Sequence, residues 1–177
     1  MEQKLINFKE LLKFGEEGEK AIAEYFIEHN KIVSPLYQYG LNTAPCAFAI
    51  DSKIVLPDLL VFYYGNSNFV ECKRKQRWIT YKYGLETGMD RRLYNNYMLL
   101  NKESNIPLYF VFIHEEKEPI GVYYVNSNIK PHRIWDGINS SNGKRIEEEM
   151  VLWSFDQLKL FKNYNQILEK LKCSQSG

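Results

Sequence analysis

Residues 56–75, LPDLLVFYYGNSNFVECKRK, hold side chains of the types that hydrolytic chemistry uses. Asp58 stands at the head of one apolar run, and Glu71 and Lys73 stand two apart inside the next. Two carboxylates on adjacent rigid strands offer hard oxygen ligands to a divalent cation such as Mg²⁺. A nearby ammonium can steady a metal-bound water or a negatively charged scissile group. The plainer alternative is a Glu71–Lys73 pair at a fraying strand end, solvated and without function. That alternative accommodates Lys73, Arg74 and Lys75 but leaves Asp58 unexplained.

Bringing the three groups together requires a hairpin. Gly65, Asn66, Ser67 and Asn68 separate the two runs, and Gly and Asn tolerate the positive φ of a tight turn. With a turn near Asn66, Asp58 falls roughly opposite the Lys73–Lys75 end. Side chains alternate along a strand, so Phe69, Glu71 and Lys73 share one face while Val70 and Cys72 take the other. Apolar residues on both faces mark a strand covered on both sides, where an unpaired carboxylate is costly.

The flanking elements follow from periodicity. EEGEKAIAEYFIEHN carries Ala21, Ile22, Tyr25 and Phe26 on one stripe and predicts a helix over about 16–29. Short strands are expected in KIVSPLYQYG and CAFAI. TGMDRRLYNNYMLLNKES places Leu93, Tyr97 and Leu100 at helical spacing, and Pro107 opens the strand LYFVFI. IGVYYV is a further strand, NSSNGKR a polar loop, and Trp135-Asp136-Gly137 a turn, with Trp153 in the core. SFDQLKLFKNYNQILEKLK reads as a closing amphipathic helix capped by Ser154. The expected class is α/β, a mixed β-sheet flanked by helices.

A chain of 177 residues, 45% apolar and 15% aromatic, can bury one sizeable core, so one domain over 1–177 is expected. No run approaches the ~20 apolar residues of a membrane span. The first residues mix acids and bases without the apolar stretch of a secretory signal, which leads to the expectation of a cytoplasmic protein. Cys46, Cys72 and Cys173 show no ligand spacing and read as ordinary thiols. A net charge of +1 excludes a globally basic nucleic-acid coat. The local balance differs. Between Glu71 and Arg92 the bases Lys73, Arg74, Lys75, Arg77, Lys82, Arg91 and Arg92 face only Glu71, Glu86 and Asp90. This excess makes those bases candidate nucleic-acid contacts. Trp78, Tyr81 and Tyr83, interleaved with them, either stack on bases or pack inward. His29, His114 and His132 are scattered and read as structural or exposed.

The residues PD at 57–58 and ECK at 71–73 resemble the Pro-Asp … Asp/Glu-X-Lys signature of the restriction-endonuclease-like, or PD-(D/E)XK, nuclease superfamily. KFGEEGEKAIAEYFIEHN is similar to the Gly-x-x-Gly-Glu opening helix of its Holliday-junction-resolvase-like members. The resemblance covers about residues 15–113. It implies an αβββαβ core over about 15–125, followed by a C-terminal helical extension over about 126–177. It also implies that Asp58 and Glu71 ligate Mg²⁺, or Mn²⁺ as a substitute, with the Cys72 backbone carbonyl. Lys73 would then assist the attacking water, and Glu19 would face the metal. Glu16 and Glu17 are weaker candidates, explained equally by favourable charge at a helix N-terminus. The implied activity is hydrolysis of phosphodiester bonds by an endonuclease or exonuclease, with DNA the expected substrate and a homodimer the expected assembly. Two competitors remain at this level: a catalytically silent nucleic-acid-binding module of the same fold, and an interaction domain without metal affinity.

Overall fold

In the computed structural model, residues 8–36, 46–49, 52–82, 84–141 and 144–174 are described; Tyr83 and residues 37–45 lie outside them. Helix α1 (Phe8–Glu28) begins about two turns before the expected start, and its stripe of Ala21, Ile22, Tyr25 and Phe26 is buried. Strand β1 (Ile32–Pro35) follows, and β2 (Cys46–Ala49) pairs only with β3 (Ser52–Val55). Next come β4 (Leu59–Tyr63), β5 (Asn66–Lys75), β6 (Ile79–Tyr81) and β7 (Gly84–Asp90), and then helix α2 (Arg91–Ser104). The chain continues through β8 (Leu108–His114), β9 (Gly121–Asn126), β10 (Arg133–Ser141), β11 (Lys144–Ser154), β12 (Lys159–Leu160) and helix α3 (Tyr164–Ser174).

A six-stranded mixed sheet runs β1-β4-β5-β8-β9-β12, and a four-stranded antiparallel sheet runs β10-β11-β7-β6. Strands β5 and β8 are the parallel pair, a pairing that needs a long crossover, and β6, β7 and α2 supply it. The Asp90 side chain accepts from Leu93 N at 3.0 Å and so caps α2, while Asn105 closes it in the left-handed region at φ 54°. This cap ends β7 where sequence periodicity extends the helix back to Thr87.

Strand β5 is covered on both faces, as its apolar alternation predicts. Val70 and Cys72 pack with α1 and α3 on one side. Phe69 packs with Tyr97 and Leu100 of α2 and with Met89, Val151 and Trp153 of the second sheet on the other. The expected α/β class with a mixed sheet and flanking helices is observed, and Trp153 is core.

Several expectations are corrected. The hairpin turn is Tyr64-Gly65, both at positive φ (45° and 78°), rather than at Asn66. The register is therefore Leu59↔Val70, and one further step sets Asp58 opposite Glu71 instead of the Lys73–Lys75 end. The expected closing helix is divided: Ser154 caps a single 3₁₀ turn (Phe155–Gln157), β12 then adds to the edge of β9, and only Tyr164–Ser174 is helical. Backbone pairing at a sheet edge overrides local helical periodicity there. The NSSNGKR stretch is largely strand, because β10 and β11 pair from Arg133↔Leu152 to Ser141↔Lys144, and Trp135-Asp136-Gly137 lies within β10 rather than in a turn. Residues 126–177 are thus not a helical appendage: β11 pairs with β7, and β12 joins the large sheet. No described helix is long and apolar enough to cross a membrane. Cys46, Cys72 and Cys173 form no disulfide among the described residues.

Candidate functional site

The site is built on the shared end of β4 and β5. Cross-strand partners in an antiparallel pair point to the same face, so Asp58 and Glu71 lie on the α2 side of the sheet. Both are buried, at 8% and 1% exposure. The Cys72 backbone N–H donates to Asp58 Oδ2 at 2.7 Å, which pins one oxygen of that carboxylate. Lys73 forms an ion pair with Glu71 Oε1. Both Glu71 oxygens are inaccessible to solvent, and the polar groups that meet the carboxylate are Lys73 and Tyr97.

Close approach of α1 completes the site. At Gly18 an added Cβ would lie 3.2 Å from Arg74 Cβ and 3.3 Å from Ile113 Cδ1, so glycine lets the helix sit directly on β5 and β8. Glu19 then acts electrostatically on Asp58, Lys73, Cys72 and Tyr97. Tyr97 comes from the opposite layer. It is 3% exposed on α2, and burial, followed by the charges of Glu71 and Asp58, its hydrogen bond to Glu71 and the charge of Glu19, pushes its phenol up.

The electrostatics are frustrated. Burial, then the charges of Glu71 and Glu19, hold the Asp58 carboxyl well above the usual carboxylate range against the opposing pull of Lys73 and the Cys72 amide. Burial by itself would lower Lys73, but the charges of Glu71 and Asp58 outweigh it and push the ammonium up. The two carboxylates thus favour the charged form of Lys73, which places a positive charge beside them. Crowded, dehydrated carboxylates are what a hard divalent cation neutralises and coordinates. Asp58 and Glu71 are the residues that could hold such an ion. Among the described residues, no group of three or more His, Cys, Asp and Glu side chains is arranged as a ready-made metal cage.

The basic residues divide by environment. Arg74, expected to contact nucleic acid, is instead sequestered: its side chain has no exposure and is bonded to Glu17 Oε2 at 2.8 Å, Glu115 Oε1 at 2.5 Å and Phe14 O at 3.2 Å. Glu17 is thereby a structural partner of β5 in mid-helix, so the helix N-terminus reading of Glu16 and Glu17 fails along with the expected start of α1. Arg77, Lys82 and Arg92 are exposed, and Arg91 is paired with Glu149 at 2.6 Å. Lys75 is partly enclosed, and burial together with the Lys73 charge lowers it to about 8. Trp78 is no stacking platform: it is 6% exposed, donates Nε1 to Pro119 O at 3.2 Å and stacks on His114 with centroids 3.7 Å apart.

Two features escape the sequence reading. Tyr97 stands there only as a core position of α2, and nothing in its spacing marks it as facing carboxylates. Glu86 is fully buried between Arg133, bonded through both carboxylate oxygens at 2.9 and 2.5 Å, and His132 Nε2 at 2.6 Å. The adjacent His132-Arg133 pair is the only signal for it.

No family model matches this chain, and no curated protein matches it. Among solved structures, Hjc, a Holliday junction resolvase from the archaeal hyperthermophile Archaeoglobus fulgidus, is similar at 9% identity with a TM-score of 0.47, over 77% of this chain and 87% of that one. A functional reading has to stand on the chemistry of the site.

Proposed function

We propose that the protein is a divalent-metal-dependent nuclease that hydrolyses phosphodiester bonds, with DNA as its substrate. The observation that supports this most is the buried Asp58–Glu71 pair, whose charges repel and are crowded further by Glu19, and beside which Lys73 is held in its charged form. In this reading Asp58, Glu71 and the Cys72 carbonyl hold Mg²⁺ or Mn²⁺, and Glu19 adds negative charge from α1. The bound ion supplies Lewis-acid neutralisation of the phosphate and lowers the pKa of an attacking water. The chain's own contribution is orientation and charge. The Cys72 amide fixes the Asp58 carboxylate, and Tyr97 and the core of α2 exclude bulk water. Lys73 would donate to a non-bridging phosphate oxygen as negative charge builds there. The water oxygen would form the new bond to phosphorus and release its proton to solvent, while the bond to the leaving nucleoside oxygen breaks and that oxygen takes up a proton from solvent. The exposed bases Arg77, Lys82 and Arg92 provide phosphate contacts away from the chemistry. The resemblance to resolvase-like nucleases is the ground for DNA over RNA and for a homodimer.

One observation favours a second reading. The Lys73–Glu71 ion pair already neutralises one carboxylate without a metal, as a silent binding module would require. Incubation with single-stranded, duplex and branched DNA and with RNA, with and without Mg²⁺ or Mn²⁺, separates the two. The nuclease cleaves only with metal, and Asp58→Asn loses cleavage by orders of magnitude while folding and nucleic-acid binding persist. Lys73→Met does the same, since it keeps the stem and deletes the charge. If the wild type cleaves none of these and its melting temperature does not rise with Mg²⁺, the binding module stands instead.

A further inference from the structure

Strand β5 presents Phe69, Glu71, Lys73 and Lys75 in alternate positions on one face, and of its three charged groups only the last has no partner of opposite sign. Other partly or fully buried bases meet an acid or an aromatic face: Lys73 meets Glu71, Arg74 meets Glu17 and Glu115, Arg133 meets Glu86, Lys170 meets Glu28, and Lys31 lies over the rings of Phe26 and Tyr63. Among the described residues no carboxylate pairs with Lys75, and the charge acting on it is the like charge of Lys73. A dehydrated ammonium beside another ammonium is unfavourable in the free protein, and such groups are kept where something else supplies the counter-charge.

The surroundings of Lys75 are those of a built site. Parallel pairing sets it beside His114 of β8. That imidazole is 1% exposed, lies flat on Trp78 with planes 6° apart and has Nε2 at 3.1 Å from Thr87 Oγ1. Its Nδ1 is buried with no partner, a second unsatisfied polar group next to the first. Burial, then the Lys75 charge, lowers His114 to about 3, so the ring is neutral and brings no counter-charge. The Trp78–His114 stack forms a rigid low-dielectric wall, against which attraction between Lys75 and an incoming anion is stronger than at the open surface.

We propose that Lys75, walled by His114 and Trp78, is a phosphate-binding subsite one strand step beyond Lys73, which takes a single phosphate group of the substrate strand. That the phosphate belongs to a nucleic acid rests on the nuclease reading; that the site takes a tetrahedral oxyanion does not. Two residues along a strand span about 6.6 Å, so Lys73 and Lys75 address neighbouring groups of one ligand rather than the same oxygen.

The test uses the metal-free full chain with sulfate, inorganic phosphate and a short unreactive oligonucleotide as separate probes, reading thermal midpoints and the ¹³Cε shift of labelled Lys75. Sulfate keeps its charge between pH 7 and 9, so any pH dependence with that probe belongs to the protein. Sulfate and phosphate are expected to raise the midpoint of the wild type more than that of Lys75→Met at pH 7, and the difference shrinks at pH 9 as Lys75 loses its proton. The Lys75 ¹³Cε titration moves upward from about 8 when sulfate binds. Oligonucleotide affinity falls about tenfold in Lys75→Met, the loss of one charge-assisted contact, and Lys75→Arg retains most of it. Equal anion stabilisation of wild type and Lys75→Met, or a ¹³Cε titration unmoved by sulfate, overturns the subsite. Asp58→Asn keeps the anion response if the subsite is real. If that response is present and no nucleic acid is cleaved, the subsite survives and the nuclease reading falls. If DNA is cleaved without any Lys75-dependent anion response, the nuclease reading survives and the subsite falls.

Discussion

Glu71 and Glu86 are both buried glutamates on strands, and they are treated in opposite ways. Glu86 receives two hydrogen bonds from Arg133 and one contact from His132, and the Arg133 bonds outweigh burial to lower its carboxyl. Glu71 has two enclosed oxygens met by one lysine and one tyrosine, with no arginine across them, and a second buried acid across the hairpin. A chain that can build the first arrangement has no physical obstacle to building the second equally well. The Glu86 cluster is complete as folded and ties β7 to β10. The Asp58–Glu71 cluster is incomplete until something positive arrives, and unresolved electrostatics of that kind mark a site more often than a scaffold.

The largest effect that bears on this contrast is at Glu86. Glu86→Gln or Arg133→Ala strands a buried charge or donor and should cost about 3–5 kcal/mol, read as a lower denaturation midpoint, with cleavage by the folded fraction unchanged. Asp58→Asn should move metal-free stability the other way, raising it by about 1 kcal/mol or more, because it removes one of two repelling carboxylates while keeping shape. If both substitutions destabilise by similar amounts, the two clusters are alike and the distinction collapses.

The same contrast accounts for what is legible in sequence. The hairpin, the two-faced burial of β5 and the shared face of Glu71 and Lys73 are all readable, because alternation and Gly-containing turns are local signals. The register is not, since Gly65 follows Tyr64, a residue not normally chosen for positive φ, and a slip of two to four residues relocates Asp58 from Lys73–Lys75 to Glu71. Arg74 looks like its neighbours in a basic run. Only the docking of α1 through Gly18 shows that it is consumed by Glu17 and Glu115. Tyr97 and Glu86 depend on contacts between elements far apart in sequence, which no periodicity encodes. The strands β6, β7, β10 and β11 read as loops or helix because their polar residues hide a sheet held by backbone pairing.

A smaller effect separates the clusters by pH. Asp58 has its folded pKa raised, so the metal-free protein gains stability as pH falls from neutrality through that value, until the unfolded chain also protonates near pH 4. Glu86 has its folded pKa lowered, so its contribution is present above the unfolded value and is lost as pH falls through the folded one. Chemical denaturation between pH 7 and pH 3 should therefore pass through a maximum in mildly acidic solution. Asp58→Asn should remove the rise and leave the acid-side fall. A wild-type curve that only declines from pH 7 would mean that the surroundings of Asp58 do not favour its protonated form.

The smallest expected effect concerns the surface and sharpens the comparison between satisfied and unsatisfied charges. Arg91 and Arg92 are adjacent at the start of α2, but Arg91 already has Glu149 at 2.6 Å while Arg92 is exposed. A phosphate reaching Arg92 releases counterions freely, so Arg92→Ala should reduce the slope of log affinity against log salt by about one. A phosphate reaching Arg91 must first displace a carboxylate, which offsets the gain, so Arg91→Ala should change the slope by less. Glu149→Gln frees the Arg91 guanidinium and should raise affinity at low salt, an effect that Arg91→Ala then cancels. If Arg91→Ala and Arg92→Ala flatten the dependence equally, the Glu149 pair does not persist in the complex. A complex indifferent to both would place the nucleic acid away from α2, with the carboxylate pair and Lys75 approached from the β5–β8 end alone.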